Sequence, residues 1–316
     1  MMADTLSRIS GVINAFKPEG VSSRFVVDRI GQQLRQLTGG PVRCGHAGTL
    51  DPLATGVLIV ASGRATRLIR FLQQQRKTYR AEITLGCESD TDDRTGQVTT
   101  RQVVSPPGRQ EIESVLEGFS GTIQQRPPAW SALKVSGRRA YQLAREGQIV
   151  DLQERPVEIH RLVIQRCEFP QLELEIECGS GTYIRSIARD LGEQLGCGGM
   201  LNALQRTAIG PWRVEDAITI GAEEGGEPPL IQSAVSVFPG LPTVHLKTDN
   251  LLRLRDGKRI IVPGYGGQSL VAVDQRAEFL ALLEPLHGPG DWYKAEVNWV
   301  PSIMAEQKGA AVLRGC

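Results

Sequence analysis

The chain contains 316 residues, of which 41% are hydrophobic and 22% are charged, and its formal net charge is +1. A chain of this length can bury a sizeable core, and it corresponds to two domains at roughly 150 residues per domain. Its longest apolar runs are shorter than about 18 residues, which excludes a membrane-spanning helix.

The first 220 residues mix strand and helix patterns without a regular βαβ alternation. Alternating or short apolar runs predict strands, periodic runs predict helices, and stretches rich in Gly and Pro predict loops. In chain order the predicted elements are a strand at 11–16, a helix capped by Ser22 or Ser23, a loop at 38–56, a strand at 57–61, a basic helix at 64–75, a strand at 78–85, a polar connection at 88–108, a helix at 111–119, a loop at 125–136, a helix at 138–146, paired strands at 156–169 and 172–178, and a helix at 183–195. This order favours an α+β fold over a doubly wound sheet.

The character of the sequence changes after about residue 220. An acidic stretch rich in Gly and Pro at 221–229 predicts a linker, which we extend to residue 242. Short apolar runs separated by turns then predict a small β-rich domain over 243–300. Residues 301–316 are predicted to form a tail. The domain boundaries are therefore placed at 1–220, 221–242, 243–300 and 301–316.

The cysteines and histidines give no metal or disulfide pattern. None of the six cysteines forms a C-x-x-C pair, and the four histidines are scattered. We therefore expect reduced, mostly buried thiols and no metal site. The first ten residues lack the apolar stretch of a signal peptide, which predicts a cytoplasmic protein.

Charge is distributed unevenly along the chain. Residues 1–80 contain twelve Lys and Arg against four Asp and Glu, which gives +8. The remaining residues contain 24 basic and 31 acidic side chains, which gives −7. This asymmetry indicates a polyanionic partner for the first quarter of the chain.

The segment 43–56 is the densest in turn formers and polar groups, with the sequence RCGHAGTLDPLATG. Its glycines permit unusual dihedral angles and close approach of a ligand. Pro52 restricts Asp51 to extended conformations, which stiffens the presentation of its carboxylate. On spacing alone, a capping aspartate in an ordinary loop is the better-supported interpretation, because Asp and Gly are common in loops.

The block from Gly45 to Gly56 closely resembles the catalytic signature of the bacterial tRNA pseudouridine-55 synthase family, TruB. Further motifs resemble those of the family in the same order over residues 11–212. They are Lys17-Pro-Glu-Gly-Val-Ser-Ser23, Lys77-Thr-Tyr79, Pro127-Pro-Ala-Trp-Ser-Ala-Leu-Lys134, Gly181-Thr-Tyr-Ile-Arg185-Ser, Asp190-Leu-Gly and Leu204-Gln-Arg-Thr207. Several separate motifs in one order leave little room for coincidence.

The resemblance implies an isomerase that converts uridine 55 in the T-loop of tRNA to pseudouridine without a metal or redox cofactor. It implies that Asp51 is the catalytic carboxylate, that Arg185 pairs with it, and that Tyr79 stacks on the target uracil. A carboxylate could attack C1′ of the ribose, attack C6 of the uracil, or act as a base at C2′. The sequence leaves all three routes open.

The resemblance also implies residues that bind the substrate. The target base must leave its stack to be reached, and His46 matches the histidine that fills the gap. Asp90 matches a pocket acid, whereas Asp92 and Asp93 are predicted to lie in a solvated turn. Tyr183 and Leu204 correspond to positions that line the pocket. The predicted phosphate contacts are Arg43, Arg64, Arg67, Lys77 and Lys134.

Two further segments are expected to bind RNA. An insertion at about 125–150 resembles the RNA-gripping loop of the family. After Trp212 the resemblance weakens, and residues 243–300 resemble a compact, diverged PUA barrel. Its basic residues Arg253, Arg255, Lys258 and Arg259 suit RNA.

Three functions are open to a chain with this pattern. A stand-alone synthase that acts on the tRNA T-arm is favoured, with no obligatory protein partner and as a monomer. A guide-RNA-dependent synthase shares the Asp motif but lacks the insertion around 127–147. An RNA-binding protein or tRNA-folding chaperone on the same scaffold would not need Asp51, Tyr79 and Arg185 together.

Overall fold

The computed structural model describes residues 9–131, 133–135, 137–148, 152–220, 229–288 and 290–300. Within these residues the strands, in chain order, are β1 (Val12–Lys17), β2 (Cys44–His46), β3 (Thr55–Ser62), β4 (Lys77–Leu85), β5 (Cys87–Ser89), β6 (Val98–Thr100), β7 (Gly121–Gln125), β8 (Lys134–Val135), β9 (Arg138–Arg139), β10 (Arg155–Glu168), β11 (Gln171–Cys178), β12 (Gly199–Ile209), β13 (Trp212–Arg213), β14 (Ile218–Thr219), β15 (Thr243–His245), β16 (Ile260–Ile261), β17 (Leu270–Val273), β18 (Phe279–Pro285) and β19 (Trp292–Asn298). The α-helices are α1 (Ser23–Thr38), α2 (Ile69–Gln74), α3 (Arg109–Glu117), α4 (Ala140–Arg145), α5 (Ile184–Gln194) and α6 (Thr248–Arg255).

A ten-stranded mixed sheet dominates the first 220 residues. Its order is β14-β1-β3-β12-β4-β11-β10-β7, with β2 paired to β3 and β13 paired to β12. The β1–β14 and β3–β12 pairs are parallel, and the other pairs of the sheet are antiparallel. The absence of a regular βαβ repeat here confirms the α+β class.

Local sequence signals explain the best-predicted elements. Ser22 caps α1 by accepting a hydrogen bond from the Phe25 N–H, and Gly39 ends the helix with a φ of 70°. In β4 the residues at alternating positions are buried, and they include Tyr79 and Ala81. The same alternation continues in β11, which pairs with β4 over its whole length. These strands therefore present one apolar face to α3 and α5, whose buried side chains join the same hydrophobic cluster.

Several predicted elements are corrected by the structure. Strand β12 was not predicted, although it lies at the centre of the large sheet between β3 and β4. Helix α6 was also not predicted. The predicted loop at 38–56 contains β2, and the polar connection at 88–108 contains most of the β5–β6 hairpin. The predicted basic helix at 64–75 is a 3-10 helix at 63–68 followed by α2. The helix predicted at 138–146 is shorter, because residues 138–139 form β9 and only Ala140–Arg145 form α4.

A second sheet of five strands, in the order β15-β17-β18-β19-β16, forms the C-terminal part of the protein. The strand-rich character predicted for this part is confirmed. One hydrophobic cluster joins the two sheets, because Val57 and Ile59 of β3 pack in it together with Phe279 and Trp299. Residues 221–228 of the predicted linker and the predicted tail at 301–316 lie outside the described residues.

Basic side chains line the contact between the two sheets. The Arg64 guanidinium lies 5.4 Å from the centre of the Trp299 ring. Arg67 donates a hydrogen bond to the Asn298 carbonyl, and Arg70 forms an ion pair with Glu296. Arg64 and Arg67 thus contact the C-terminal part of the protein. The sequence had predicted instead that these two side chains contact phosphates. Within the described residues, no helix is long and apolar enough to cross a membrane.

Gly56 is expected to be indispensable at the start of β3. It has a φ of +103°, and a Cβ atom there would lie 2.2 Å from the Arg206 carbonyl oxygen. We expect Gly56→Ala to lower the free energy of unfolding by about 3 kcal/mol or more, because the strain and the overlap add. Urea unfolding followed by circular dichroism measures this change.

Gly20→Ala is the matched control. Gly20 has a φ of +83°, but a Cβ atom there would meet nothing within 4 Å. We expect a loss of about 1 kcal/mol from the strained backbone alone. Equal losses in the two variants would show that the overlap with Arg206 is absent in solution.

Candidate active site

The loop that carries Asp51 connects β2 to β3 and is held from several sides by hydrogen bonds. The buried Ser23 hydroxyl both accepts from the Leu50 N–H, at 2.8 Å, and donates to the Leu50 carbonyl, at 2.9 Å. The Gly20 N–H donates to the Pro52 carbonyl. The residues on both sides of Asp51 are therefore fixed, and its carboxylate is presented by a stiff backbone.

Two buried cations hold the same loop from below. Lys17, which has no exposed surface, donates to the carbonyls of Pro18 and Pro52 at 2.8 and 3.3 Å. Arg206, 1% exposed, donates through Nη2 to the Gly48 carbonyl and through Nε to the Val57 carbonyl. Burial lowers the pKa of Lys17 to about 8, although the nearby Asp51 acts in the opposite direction.

Asp51 and Arg185 form an ion pair at the surface of this loop. Arg185 Nη2 lies 2.9 Å from Asp51 Oδ2, with side chains 5% and 40% exposed, respectively. The carboxylate thus keeps one side open to a ligand while its partner is buried in the first turn of α5. This geometry is the one that the sequence predicted for Asp51 and Arg185.

Arg185 has three further partners besides Asp51. Its Nη1 donates to the Thr91 carbonyl and its Nη2 to the Trp130 carbonyl, both at 3.0 Å. Its Nε lies 3.7 Å from a carboxylate oxygen of Asp93, which is itself buried. A guanidinium is a planar fork with five N–H donors, so these partners fix its plane.

Tyr79 is buried in β4, on the face of the sheet that packs against α5. Its side chain belongs to the same hydrophobic cluster as Leu50 and Leu53 of the Asp51 loop. Burial raises the pKa of the Tyr79 phenol above its usual 10.0, and the neighbouring Arg206 acts in the opposite direction. The structure therefore gathers all three residues predicted to be catalytic around one loop.

Tyr183 and Leu204 lie at the edge of this region. Tyr183 precedes α5 and exchanges two hydrogen bonds with the side chain of Gln125, at 2.8 and 3.0 Å. The Arg155 guanidinium lies 5.1 Å from the centre of its ring. Leu204 of β12 is half-buried and packs against the cluster that contains Tyr79. Both residues have the partial exposure that a pocket lining requires.

His46 ends β2 and is half-buried. Its Nδ1 atom is buried and has no hydrogen-bond partner among the described residues. Burial is the largest cause that lowers the pKa of His46, followed by the charge of Arg206. The imidazole is therefore favoured in its neutral form.

The predicted phosphate contacts differ in accessibility. Arg43 and Lys134 are exposed. Lys77 is buried, and its ammonium donates to the carbonyls of Gln73 and Gln75, both at 2.7 Å. Burial lowers the pKa of Lys77 to about 8. The prediction of a surface phosphate contact is therefore wrong for Lys77, because its charge is used to bind the carbonyls at the end of α2.

The acidic turn at 90–94 also differs from the prediction. Asp90 is exposed, and its Oδ1 accepts a hydrogen bond from the Gln97 N–H at 2.7 Å. Asp92 and Asp93 were predicted to be solvated, but Asp92 pairs with Arg189 at 2.8 Å and Asp93 faces Arg185. In this turn it is Asp93, rather than Asp90, that lies against the arginine of the active site.

Arg206 and Asp93 belong to the site, although the sequence predicted a site role for neither of them. Arg206 stands in the Leu204-Gln-Arg-Thr motif, which marked its position but not its role. A charged residue in the middle of a central strand is a signal in itself, because arginine is rarely buried without partners. Within the described residues, no group of three or more His, Cys, Asp or Glu side chains is arranged to hold a metal ion.

Comparisons with known proteins agree on one family. A family model described as the N-terminal domain of the TruB family pseudouridylate synthases matches residues 35–184. A second, described as the C-terminal domain of tRNA pseudouridylate synthase B, matches residues 185–222.

Curated relatives and solved structures extend the similarity over most of the chain. The tRNA pseudouridine synthase B of Thermobifida fusca (strain YX) is 40% identical over 287 residues, which cover 88% of this chain and 95% of that protein. The protein of the same name from Brucella ovis is 43% identical over 283 residues, covering 81% and 85%. A chain from the crystal structure of a Cbf5-Nop10-Gar1 complex superposes with a TM-score of 0.68 at 26% identity, covering 95% of this chain and 87% of that chain.

The Tyr79 phenol is expected to stay protonated at a pH where an exposed tyrosine ionises, because burial raises its pKa. The folded state holds this proton more tightly than the unfolded chain. The resulting contribution to stability is therefore complete below pH 10 and is lost as the pH rises through the higher folded pKa.

The measurement is a tyrosinate absorbance titration of the wild type minus that of Tyr79→Phe. The difference should appear above pH 10 in the folded protein and near pH 10 in urea. A difference that titrates at the same pH in both states would contradict the buried, neutral phenol.

Proposed function

The chain belongs to the TruB family of pseudouridylate synthases, and we propose that it acts on uridine 55 in the T-loop of tRNA with Asp51 as its catalytic carboxylate. It is an enzyme that isomerises uridine to pseudouridine in tRNA. The observation that carries the proposed role of Asp51 is its ion pair with the buried Arg185.

The reaction needs a carboxylate that reaches both the sugar and the base. The bond between C1′ and N1 of the uridine breaks, the uracil turns, and C5 bonds to C1′ as C5 loses its proton and N1 takes up a proton. Asp51 serves as a nucleophile at C1′ or at C6, or as a base at C2′. Each route needs the carboxylate to be accessible and correctly oriented, and its partly exposed side chain and fixed partner supply both conditions.

Arg185 orients Asp51 in this proposal. The ion pair is a charge-assisted hydrogen bond, and these bonds are shorter and stronger than neutral ones. The guanidinium is also held by groups other than Asp51, because the Thr91 and Trp130 carbonyls accept hydrogen bonds from it and the Asp93 carboxylate lies 3.7 Å from its Nε. Asp51 is thereby held in one direction while the substrate enters from the open side.

The target base must leave the folded RNA before Asp51 can reach it. We place Tyr79 against the face of the flipped uracil, where its phenol hydroxyl relays the proton lost from the ring or sugar by releasing its own proton as it accepts the new one. His46 fills the gap left by the base, which its neutral imidazole and half-buried position support. Tyr183 and Leu204 line the pocket, and Asp90 contacts the flipped nucleotides from the acidic turn.

The tRNA is proposed to lie across the N-terminal part of the chain. Arg43 and Lys134 are exposed and offer contacts to the phosphate backbone. Lys134 belongs to the insertion between β7 and β10, which supports a stand-alone enzyme over a guide-dependent one. We further propose that the enzyme is cytoplasmic and monomeric and needs no obligatory protein partner. A PUA-like role in RNA binding for residues 243–300 also stays a proposal.

Asp51→Asn should abolish turnover, because the amide is neither a nucleophile nor a base. We expect the single-turnover rate to fall by at least about 10³-fold, with affinity for tRNA within about threefold of wild type. The measurement is tritium release from a tRNA transcript labelled at C5 of uracil, alongside a transcript in which position 55 is replaced.

Asp28→Asn is the matched control, because Asp28 is an exposed carboxylate that pairs with Arg24 on α1. It should release tritium at the wild-type rate. A collapse of tRNA affinity in Asp51→Asn would instead assign Asp51 a structural role. Release from the transcript lacking uridine 55 would refute the proposed position.

Arg185→Lys should slow tritium release by about 10²-fold, because a single ammonium cannot reproduce the planar fork that orients Asp51. Arg161→Lys is its control, since Arg161 is an exposed arginine that pairs with Glu175. A near-normal rate in Arg185→Lys would refute the orienting role of the ion pair.

A further inference from the structure

The acidic turn contains a backbone conformation that needs an explanation. Asp92 has a φ of 58° and is one of two non-glycine residues with a positive φ among the described residues. Left-handed conformations are unfavourable for side chains with a Cβ atom, although aspartate tolerates them better than most. Such residues persist only where their surroundings hold them in place, and they concentrate at functional sites.

Arg189 of α5 holds Asp92 in this conformation. Its Nη1 lies 2.8 Å from Asp92 Oδ2, and the two side chains are only 13% and 14% exposed. The backbone of Asp92 is fixed as well, because its N–H donates to the Ser89 carbonyl and its carbonyl accepts from the Leu201 N–H. The turn is thus anchored to β12 through its backbone and to α5 through its side chain.

The two neighbours of Asp92 both contact Arg185. The Thr91 carbonyl accepts from Nη1 at 3.0 Å, and the Asp93 carboxylate lies 3.7 Å from Nε. The Thr91 carbonyl and the Asp93 side chain reach the same guanidinium because the chain turns at Asp92, which lies between them. The geometry around Arg185 therefore depends on the conformation that Arg189 maintains.

Arg189 also reaches the insertion that begins after β7. Its Nη2 donates to the Arg126 carbonyl at 2.8 Å, and the Ser186 hydroxyl donates to the same carbonyl at 2.8 Å. Arg185 contacts the same segment at the Trp130 carbonyl. The two arginines are four residues apart and so lie on one face of α5. Each of them bridges the acidic turn to the start of the insertion.

We propose that Arg189 and Asp92 form a positioning pair that sets the orientation of Arg185, and through it that of Asp51. The proposal rests on the proposed function, because its effect is measured on the step that Asp51 performs. Neither residue touches the substrate: Arg189 acts through the acidic turn and the first residues of the insertion. Loss of the pair should therefore reduce the rate of the chemical step and leave tRNA affinity unchanged.

Asp92→Gly separates the side chain from the backbone conformation. Glycine adopts a positive φ without strain, so this variant can still form the turn, but the turn loses the carboxylate through which Arg189 holds it in place. We expect single-turnover tritium release to slow by about tenfold, with tRNA affinity within about twofold of wild type. Asp92→Asn and Arg189→Gln should give losses of similar size, and Arg161→Gln is the exposed-arginine control. A wild-type rate in Asp92→Gly would overturn the proposal.

A double-mutant cycle tests whether the pair acts through Arg185. In the Arg185→Lys background, adding Asp92→Gly should change the rate by less than about twofold, because the orientation is already lost. A second tenfold loss would show an independent or general structural effect and would overturn the proposal. This cycle uses Asp92→Gly because glycine permits the positive φ of the turn without strain, and unfolding midpoints within a few degrees of wild type confirm that the variants are folded.

The outcomes also separate this inference from the proposed function. If Arg185→Lys is impaired and the Asp92 and Arg189 variants are normal, the positioning pair is refuted and the proposed function stands. If Arg185→Lys itself is normal, the orienting role proposed for Arg185 is refuted, and the positioning pair falls with it.

Discussion

A single buried guanidinium connects the parts of this enzyme that would otherwise be separate loops. Arg185 lies in the first turn of α5 and contacts the loop after β2, the turn after β5 and the insertion after β7. These segments come from distant parts of the sequence, and each supplies at least one carbonyl or carboxylate. Burying such a cation is unfavourable unless its donors are satisfied. The buried position of Arg185 therefore depends on all three of these segments together.

A second requirement concerns the loop that carries Asp51. Lys17 and Arg206 are buried cations, and both donate to carbonyls of this loop. Lys77 lies beside Arg206, whose charge contributes to lowering the pKa of Lys77. Three buried basic side chains thus lie close to one short loop, and the charge of Asp51 acts to raise the pKa of one of them, Lys17.

The features that the sequence predicted well are those with local causes. Helix α1 follows from its Ser22 cap and its apolar face, and β4 and β11 follow from strict alternation. The pairing of Asp51 with Arg185 was predicted through motif resemblance, since nothing in the spacing of two residues 134 positions apart dictates their contact.

The features that were missed have non-local causes. Strand β12 lacks strict alternation because its pairing with β4 contains two register shifts, one between Leu201 and Ala203 and one between Arg206 and Ala208. Arg206 is buried because the strand lies between β3 and β4. Lys77 was expected at the surface because of its charge, but it is buried and donates hydrogen bonds to the carbonyls at the end of α2. Whether Asp90 or Asp93 lies against Arg185 depends on the left-handed conformation of Asp92. An aspartate in a turn does not by itself predict that conformation.

The shared core of the two sheets has a consequence for how such enzymes can be altered. Strand β3 follows directly on the Asp51 loop, and its residues Val57 and Ile59 pack with Phe279 and Trp299 of the C-terminal part. A truncation that removed the C-terminal sheet would uncover the apolar underside of the strand that supports the catalytic loop. Exchanging this sheet between relatives would succeed only if the residues on both sides of the junction were transplanted together. The C-terminal part is thus packed as an extension of the catalytic core rather than as an interchangeable module.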